Sequence, residues 1–380
     1  MKNKKSILSK LLILVVLVSI VVSGCSNSAK TPEGAGDGLK IAIVSSPSGV
    51  DDGSFNEDNY NGILKFIEAN PSATVKAVKE PTGDQAAAVQ AVADIVADYD
   101  VIVTPGFQFA GVSAVALENP TKKFVLIDSF PEKQGEAELF DNVYAMTFAE
   151  EESGFLAGMA AALETKTNKV AVVNGIAFPS NVNYQYGFES GVNYVNALYN
   201  KNVEYVSLPS YAGTDVTGAN VGGNYAGSFA DEATGKVLGN ALIAEGVDII
   251  FVAAGGTGNG VFTAAKEAST DVKVIGCDVD QYDDGASGNK NIILTSVLKV
   301  MNINVERALN LVKDGSFKGD NVLLRADTDS TGYVSKEGRH QLTSDTISKI
   351  DEAYGLLKEG KIVPAANFNG ITSDSFPGLP

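Results

Sequence analysis

The 380-residue chain contains no tryptophan, a single histidine (His340) and two cysteines, Cys25 and Cys277. A single histidine argues against a zinc site and against a His-based catalytic triad. Two cysteines cannot build a disulfide framework. Positive charge is also scarce: 29 Lys and Arg stand against 46 Asp and Glu, a net charge of −17. The lysines are scattered, with none of the basic patches that a nucleic-acid partner requires. What is plentiful is apolar residue, 44% of the chain, which supports a sizeable core and argues against disorder. The length suits two domains of ordinary size.

Long apolar runs are missing too, apart from one. Leu11 to Val22 reads LLILVVLVSIVV behind Lys2, Lys4, Lys5 and Lys10. That run is short for a membrane span and fits the apolar centre of a signal peptide. The next residues, VSGC, end at Cys25 and resemble the lipobox of bacterial lipoproteins. The resemblance implies cleavage after Gly24 and a lipid on the Cys25 thiol. Loss of residues 1–24 removes four lysines and no acid, taking the charge from −17 to −21. Residues 25–39, rich in Ser, Gly and Pro, read as a flexible tether. A body held outside the membrane meets little ATP, which argues against a kinase or ATPase.

From Lys40 onward, short Val- and Ile-rich runs such as KIAIVSS, DVIVTPG, KFVLIDS, KVAVVNG and DIIFVAAG alternate with helical patterns. The runs lack two-residue alternation, as expected of strands buried on both faces of a parallel sheet. Strand–helix alternation predicts doubly wound α/β sheets. About ten strands exceed one small sheet, and a split near 145–150 leaves two similar halves. Two lobes facing across a cleft, joined by short crossovers, would permit hinge bending.

The stretch DDGSFNED, Asp51 to Asp58, places one Phe among four acids. Ser54 and Glu57 have the spacing of a capping box. Tyr60, Ile63, Leu64 and Ile67 form the face expected to pack on the sheet. Phe55 and Asn56 fall off that face, at the carboxyl end of the first strand, where open α/β sheets bind ligands. There Phe55 either stacks on a flat ligand or staples its own loop. Similar positions at strand ends belong to Asp128 in IDS, Asp278 and Asp280 in CDVD, and Lys299 in LTSVLK. Carboxylates there can hold vicinal hydroxyls; each acid also has the plainer reading of a helix cap, and the lysine that of a solvated side chain. AAGGTGNG, around Gly255, lacks the Lys-Ser/Thr of a Walker A loop and the spacing of a dinucleotide fingerprint. DTDSTG, from Asp327, lacks the Glu of a calcium loop, since position 338 is Gly. GSFADEATGK echoes GSFNED, so Phe229 stands at a second helix entrance. Two rings on opposite lobes could pinch one flat ligand.

Taken together, VSGC, DDGSFNED, IDS, GSFADEATGK, VDIIFVAAGGTGNGVFTAAKE, VIGCDVDQ and ILTSVLK resemble the basic membrane protein family over about residues 40–360. Members are substrate-binding lipoproteins of ABC transporters, and those characterised bind purine nucleosides. The resemblance implies a two-lobed periplasmic-binding-protein fold of the ribose-binding type, each lobe a parallel sheet flanked by helices. It implies residues 40–147 plus about 281–318 in the N-terminal lobe, and 148–280 plus about 319–380 in the C-terminal lobe. It assigns Phe55 and Phe229 to sandwich a base, Asn56 to contact it, and Asp128, Asp278 and Lys299 to hold ribose; Asp280 is the alternative to Asp278. Gly255 would supply a backbone contact. Where nucleoside-binding members often carry an Asp, this chain has Ser46, which leaves open the choice of nucleoside or of another ribosyl or ribityl ligand such as riboflavin. The implied partners are a nucleoside, a permease and its ATPase, and the membrane through Cys25; the implied state is a monomer without cofactor or metal. A nucleoside hydrolase using Asp51 and Asp52 and a lipid-anchored sensor are the other readings.

Overall fold

The computed structural model describes residues 38–367, 369 and 371–373. The signal peptide, Cys25 and all but the last two residues of the tether lie outside them. Chain order begins with β1 (Lys40–Ser45), α1 (Phe55–Ala69), β2 (Thr74–Lys79), α2 (Gln85–Ile95), β3 (Val101–Pro105), α3 (Val112–Glu118), β4 (Lys123–Ile127) and β5 (Val143–Phe148). It continues with α4 (Glu150–Glu164), β6 (Lys169–Asn174), α5 (Pro179–Tyr199), β7 (Glu204–Tyr205), the hairpin β8 and β9 (Gly213–Thr214, Asn220–Gly222) and α6 (Glu232–Ala244). Then come β10 (Ile249–Ala253), α7 (Gly258–Glu267), β11 (Lys273–Gly276), the hairpin β12 and β13 (Ala286–Ser287, Lys290–Asn291) and β14 (Ile293–Lys299). The last are α8 (Met301–Lys313), β15 (Asp320–Leu324), β16 (Thr331–Tyr333) and α9 (Ser344–Lys358).

Two six-stranded sheets result. Lobe 1 has the order β2-β1-β3-β4-β5-β15 and lobe 2 the order β7-β6-β10-β11-β14-β16. Every pairing within them is parallel except β14 with β16. Central strands such as β3 and β10 are buried at every residue, so they read as continuous apolar runs. Edge strand β2 alternates Lys with Val and Ala because one face meets water. Each sheet is covered on both sides. In lobe 1 one core holds Ile63 and Phe66 of α1 with Val305 and Leu309 of α8, and the other holds Ala88 and Val92 of α2 with Val112 of α3. On α1, Ile63 and Phe66 lie in the first of these cores with Tyr60 and Ile67 packed against it; of the expected packing face only Leu64 is exposed, and Phe66 takes its place.

The lobe boundaries differ from the expected ones. β14, placed by the expectation in the N-terminal lobe, pairs with β11 in lobe 2, and β15, placed in the C-terminal lobe, pairs with β5 in lobe 1. The chain crosses between lobes three times, at Ala149, Val300 and Arg325. Two of these crossings share one backbone conformation: φ −82°, ψ 71° at Ala149 and φ −83°, ψ 74° at Val300. Each is tied by its own N–H, Ala149 to the Leu324 carbonyl and Val300 to the Ser330 carbonyl, both at 2.9 Å.

Candidate functional site

A narrow cavity of about 60 Å³ lies between the carboxyl ends of the two sheets. All eight residues expected to bind ligand line it: Ser46, Phe55, Asn56, Asp128, Phe229, Gly255, Asp278 and Lys299. Lobe 1 contributes the ends of β1 and β4 and the start of α1. Lobe 2 contributes the ends of β10, β11 and β14, with the entrances of α5 and α6.

The cluster at the lobe junction is the most strongly charged part. Lys299 ends β14, is 2% exposed, and so is no solvated lysine. Its ammonium forms ion pairs with Asp128 of lobe 1 and, at 2.9 Å, with Glu150 at the first turn of α4. It also lies over the rings of Phe55 (5.1 Å to the centroid) and Phe148 (5.3 Å). Burial pulls the ammonium pKa down, but Asp128, Glu150 and Asp278 outweigh it, so the net shift is upward and Lys299 stays charged. Burial pushes Asp128 upward against the pull of Lys299, with Glu150 adding to the rise. One cation shared among several acids cannot neutralise all of them.

Asp128 and Asp278 both adopt left-handed backbone, with φ of 64° and 70°. They follow β4 and β11, equivalent strands of the two sheets. An Asp tolerates this conformation better than most residues, and here it sets both carboxylates at the cavity wall. Asp278 accepts 2.8 Å from the Tyr184 hydroxyl and 3.1 Å from the Ser54 hydroxyl. Asp280, the alternative, is bound instead by Arg339 at 2.7 Å and does not line the cavity.

At the other end, Asp52 fills a role that the sequence assigned elsewhere. Its carboxylate accepts from the N–H groups of Ser54, Asn56 and Glu57, each at 3.1 Å, and from the Asn56 amide at 2.7 Å. Asp52 is therefore the cap of α1. The expected capping box is absent: Ser54 makes no capping bond, and Glu57 accepts from Gly53 rather than from Ser54. An ionised carboxylate two residues upstream outcompetes a hydroxyl for the same donors. Because Asp52 only accepts, it also orients the Asn56 amide. The nitrogen of that amide faces Asp52 and the Ser46 hydroxyl (2.9 Å), and its oxygen faces the Ser46 N–H at 3.4 Å.

The aromatic lining is richer than the two expected rings. Phe178, just before α5, contacts Phe107 of lobe 1 at 5.3 Å and Phe229 at 6.0 Å. The Phe229 ring lies on Gly175, where a Cβ would stand 2.2 Å from it. Phe55 lines the cavity and also packs against the lobe 1 core, so its two readings coexist. Sequence alone does not single out Phe107, Phe178, Tyr184 or Glu150, and it reads Asp52 and Ser54 only as a hydrolase acid and a helix cap. Phe107 and Phe178 each follow a strand end, a signal available in TPGF and NGIAF. Nothing local marks Tyr184, a mid-helix residue.

A family model described as ABC transporter substrate-binding protein, PnrA-like, matches residues 39–219 and 211–354. The chain belongs to the Bmp family. As a member it is a substrate-binding protein of an ABC transporter, whose partners are a ligand and membrane subunits. It is 29% identical to the CD4+ T-cell-stimulating antigen of Listeria innocua, over 94% of this chain and 98% of that protein. It is also 29% identical to the ABC transporter nucleoside-binding protein BmpA of Lactococcus lactis subsp. cremoris, over 90% of this chain and 91% of the relative. A solute-binding protein of an ABC transporter system from Aeropyrum pernix superposes with a TM-score of 0.73 at 23% identity, covering 87% of this chain and 94% of the other. That likeness establishes the periplasmic-binding-protein fold for this Bmp-family chain. Among the described residues no helix is long and apolar enough to cross a membrane.

Proposed function

We propose that this Bmp-family protein captures a neutral nucleoside between its lobes and hands it to a permease. The observation that carries the reading is the junction cluster: two carboxylates at equivalent strand ends, flanking one buried lysine, beside aromatic rings from both lobes. The second oxygen of Asp128 and the free lone pairs of Asp278 suit vicinal ribose hydroxyls, and Lys299 suits a ring oxygen. Phe55 and Phe229 supply stacking faces for the base. The lining holds three acids, one lysine and no arginine, which opposes a phosphate. A relative of similar length is named as nucleoside-binding, which agrees. Ser46 has accepted an N–H from Asn56, so its own proton is available to the base edge. A hydroxyl also accepts, so we expect adenosine and inosine to bind within about tenfold of each other.

Catalysis is not part of this proposal. Asp52, which a hydrolytic metal site would need, is committed to four N–H donors at the start of α1. Anchoring through a lipid on Cys25 completes the reading, with the body monomeric and facing the permease from outside the membrane. Titration calorimetry against adenosine, inosine, guanosine, uridine, ribose, riboflavin and AMP tests the ligand class. Binding of nucleosides, with AMP and ribose at least tenfold weaker, is expected. Binding of riboflavin alone would remove the proposal. Fractionation of Cys25→Ser tests the anchor: the variant is expected in the soluble fraction, and its retention on membranes would refute the lipid.

A further inference from the structure

The turn between β1 and α1 bonds to lobe 2 through two serine hydroxyls, beside a longer 3.4 Å bond from the Gln281 amide to the Gly53 carbonyl. The Ser54 hydroxyl donates to Asp278 Oδ2 (3.1 Å) and lies 3.3 Å from the Cys277 carbonyl oxygen. The Ser48 hydroxyl donates to the Phe229 carbonyl at 2.8 Å. Neither serine is needed to build lobe 1. Asp52 already caps α1, and Ser54, although 4% exposed, makes no cap bond. A buried hydroxyl freed from local duty and aimed across the cleft is a costly thing to keep unless its partner matters. Both partners face the cavity: Asp278 on the sugar side, Phe229 on the ring side.

We infer that Ser48 and Ser54 are positioning residues that couple lobe closure to the ligand-facing groups of lobe 2. Ser54 steers one oxygen of Asp278 while Tyr184 holds the other, which presents the remaining lone pairs to the ligand. Ser48 fixes the backbone of Phe229, whose ring rests on Gly175. The bonds form only when the lobes meet. They therefore stabilise the closed arrangement, with or without ligand, and act on its reopening rather than on the encounter of ligand with an open lobe. This inference rests on the ligand-binding reading above and deepens it.

The test compares Ser54→Ala, Ser48→Ala and the conservative Ser54→Thr with wild type, using inosine and adenosine in stopped-flow binding. Each alanine is expected to raise the dissociation rate about fivefold, the double variant more than tenfold, with association rates within twofold of wild type. Ser54→Thr should restore slow release, and the ligand-free melting temperature of Ser54→Ala should match wild type because the helix cap is intact. Small-angle scattering of the ligand-free proteins supplies a readout independent of ligand identity: Ser54→Ala should be more extended. Unchanged dissociation in both alanines, a loss confined to association, or failure of a folded Thr variant to rescue overturns the inference. Where wild type binds neither nucleoside, the proposed ligand class fails, and scattering alone decides the coupling: identical profiles defeat it.

Discussion

Single residues here carry two duties at once. Gly175 is an example, since its missing Cβ makes room for the ring of Phe229. Gly175→Ala is expected to fold, because a ring can swing aside, yet to weaken nucleoside binding by about 1–3 kcal/mol, the scale of a lost stacking contact. Phe229→Ala should cost about the same. Calorimetry with matched melting curves separates displacement of the ring from general destabilisation; wild-type affinity in both variants would show that the ring plays no part. Glu151 is the second residue-scale case. Burial, with help from Glu150 and Glu152, pushes its carboxyl up to about 8, and burial pushes Asp58 up to about 6. In the unfolded chain both ionise near pH 4. Between those values the native state holds protons that the unfolded state has lost, so stability is greatest at low pH and declines as pH rises toward 8. The ligand-free protein should melt higher at pH 5.5 than at pH 8.5, and Glu151→Gln should flatten that slope by about 2 °C or more. A melting temperature that climbs over this range contradicts the argument.

The elements depend on side chains that reach between helices. Asp58 of α1 accepts from the N–H groups of Met301 (3.2 Å) and Asn302 (2.9 Å), so it caps α8 from a neighbouring helix. The sequence offers no local sign of this, because 243 residues separate Asp58 from Met301. Asp58→Ala should destabilise the fold by about 1–2 kcal/mol, the ordinary worth of a cap, and leave ligand affinity nearly unchanged. Urea denaturation at pH 7 measures it, and an unchanged midpoint would show the cap to be dispensable. Helices α4 and α5 meet through glycines: a Cβ on Gly158 would stand 2.1 Å from the Phe188 carbonyl oxygen, and one on Gly191 2.2 Å from that of Phe155. Here the obstacle is backbone, which cannot swing aside. Gly158→Ala is therefore expected to destabilise lobe 2 where Gly175→Ala does not.

On the scale of the whole molecule, three crossings join two lobes, and charge concentrates beside them. Glu152 accepts from the Arg325 guanidinium (3.0 Å), the Ala326 N–H (2.7 Å) and the Thr331 hydroxyl (2.8 Å), tying the first turn of α4 to the third crossing. Glu150 ties the same turn to Lys299 at the second. Ligand bound between the lobes stabilises only the native, closed arrangement. A nucleoside at 100 times its Kd should add about 2.7 kcal/mol of stability. Thermal shift reads this directly, and a nucleoside that binds without raising the melting temperature would indicate comparable affinity for the unfolded chain and defeat the folded site.

Local chemistry was enough to announce the α/β class, because strands buried on both faces must be continuously apolar and helices between them must be amphipathic. It also marked the site residues that sit at strand ends, such as Asp128 and Asp278, since a parallel sheet gathers those ends on one side. The lobe boundaries were beyond its reach: whether β14 or β15 joins a given sheet depends on pairing partners distant in the chain. So were the roles of Asp52, Ser54 and Asp58. Each has an adequate short-range reading as a cap or loop acid, and only the packed molecule shows which donors each one meets.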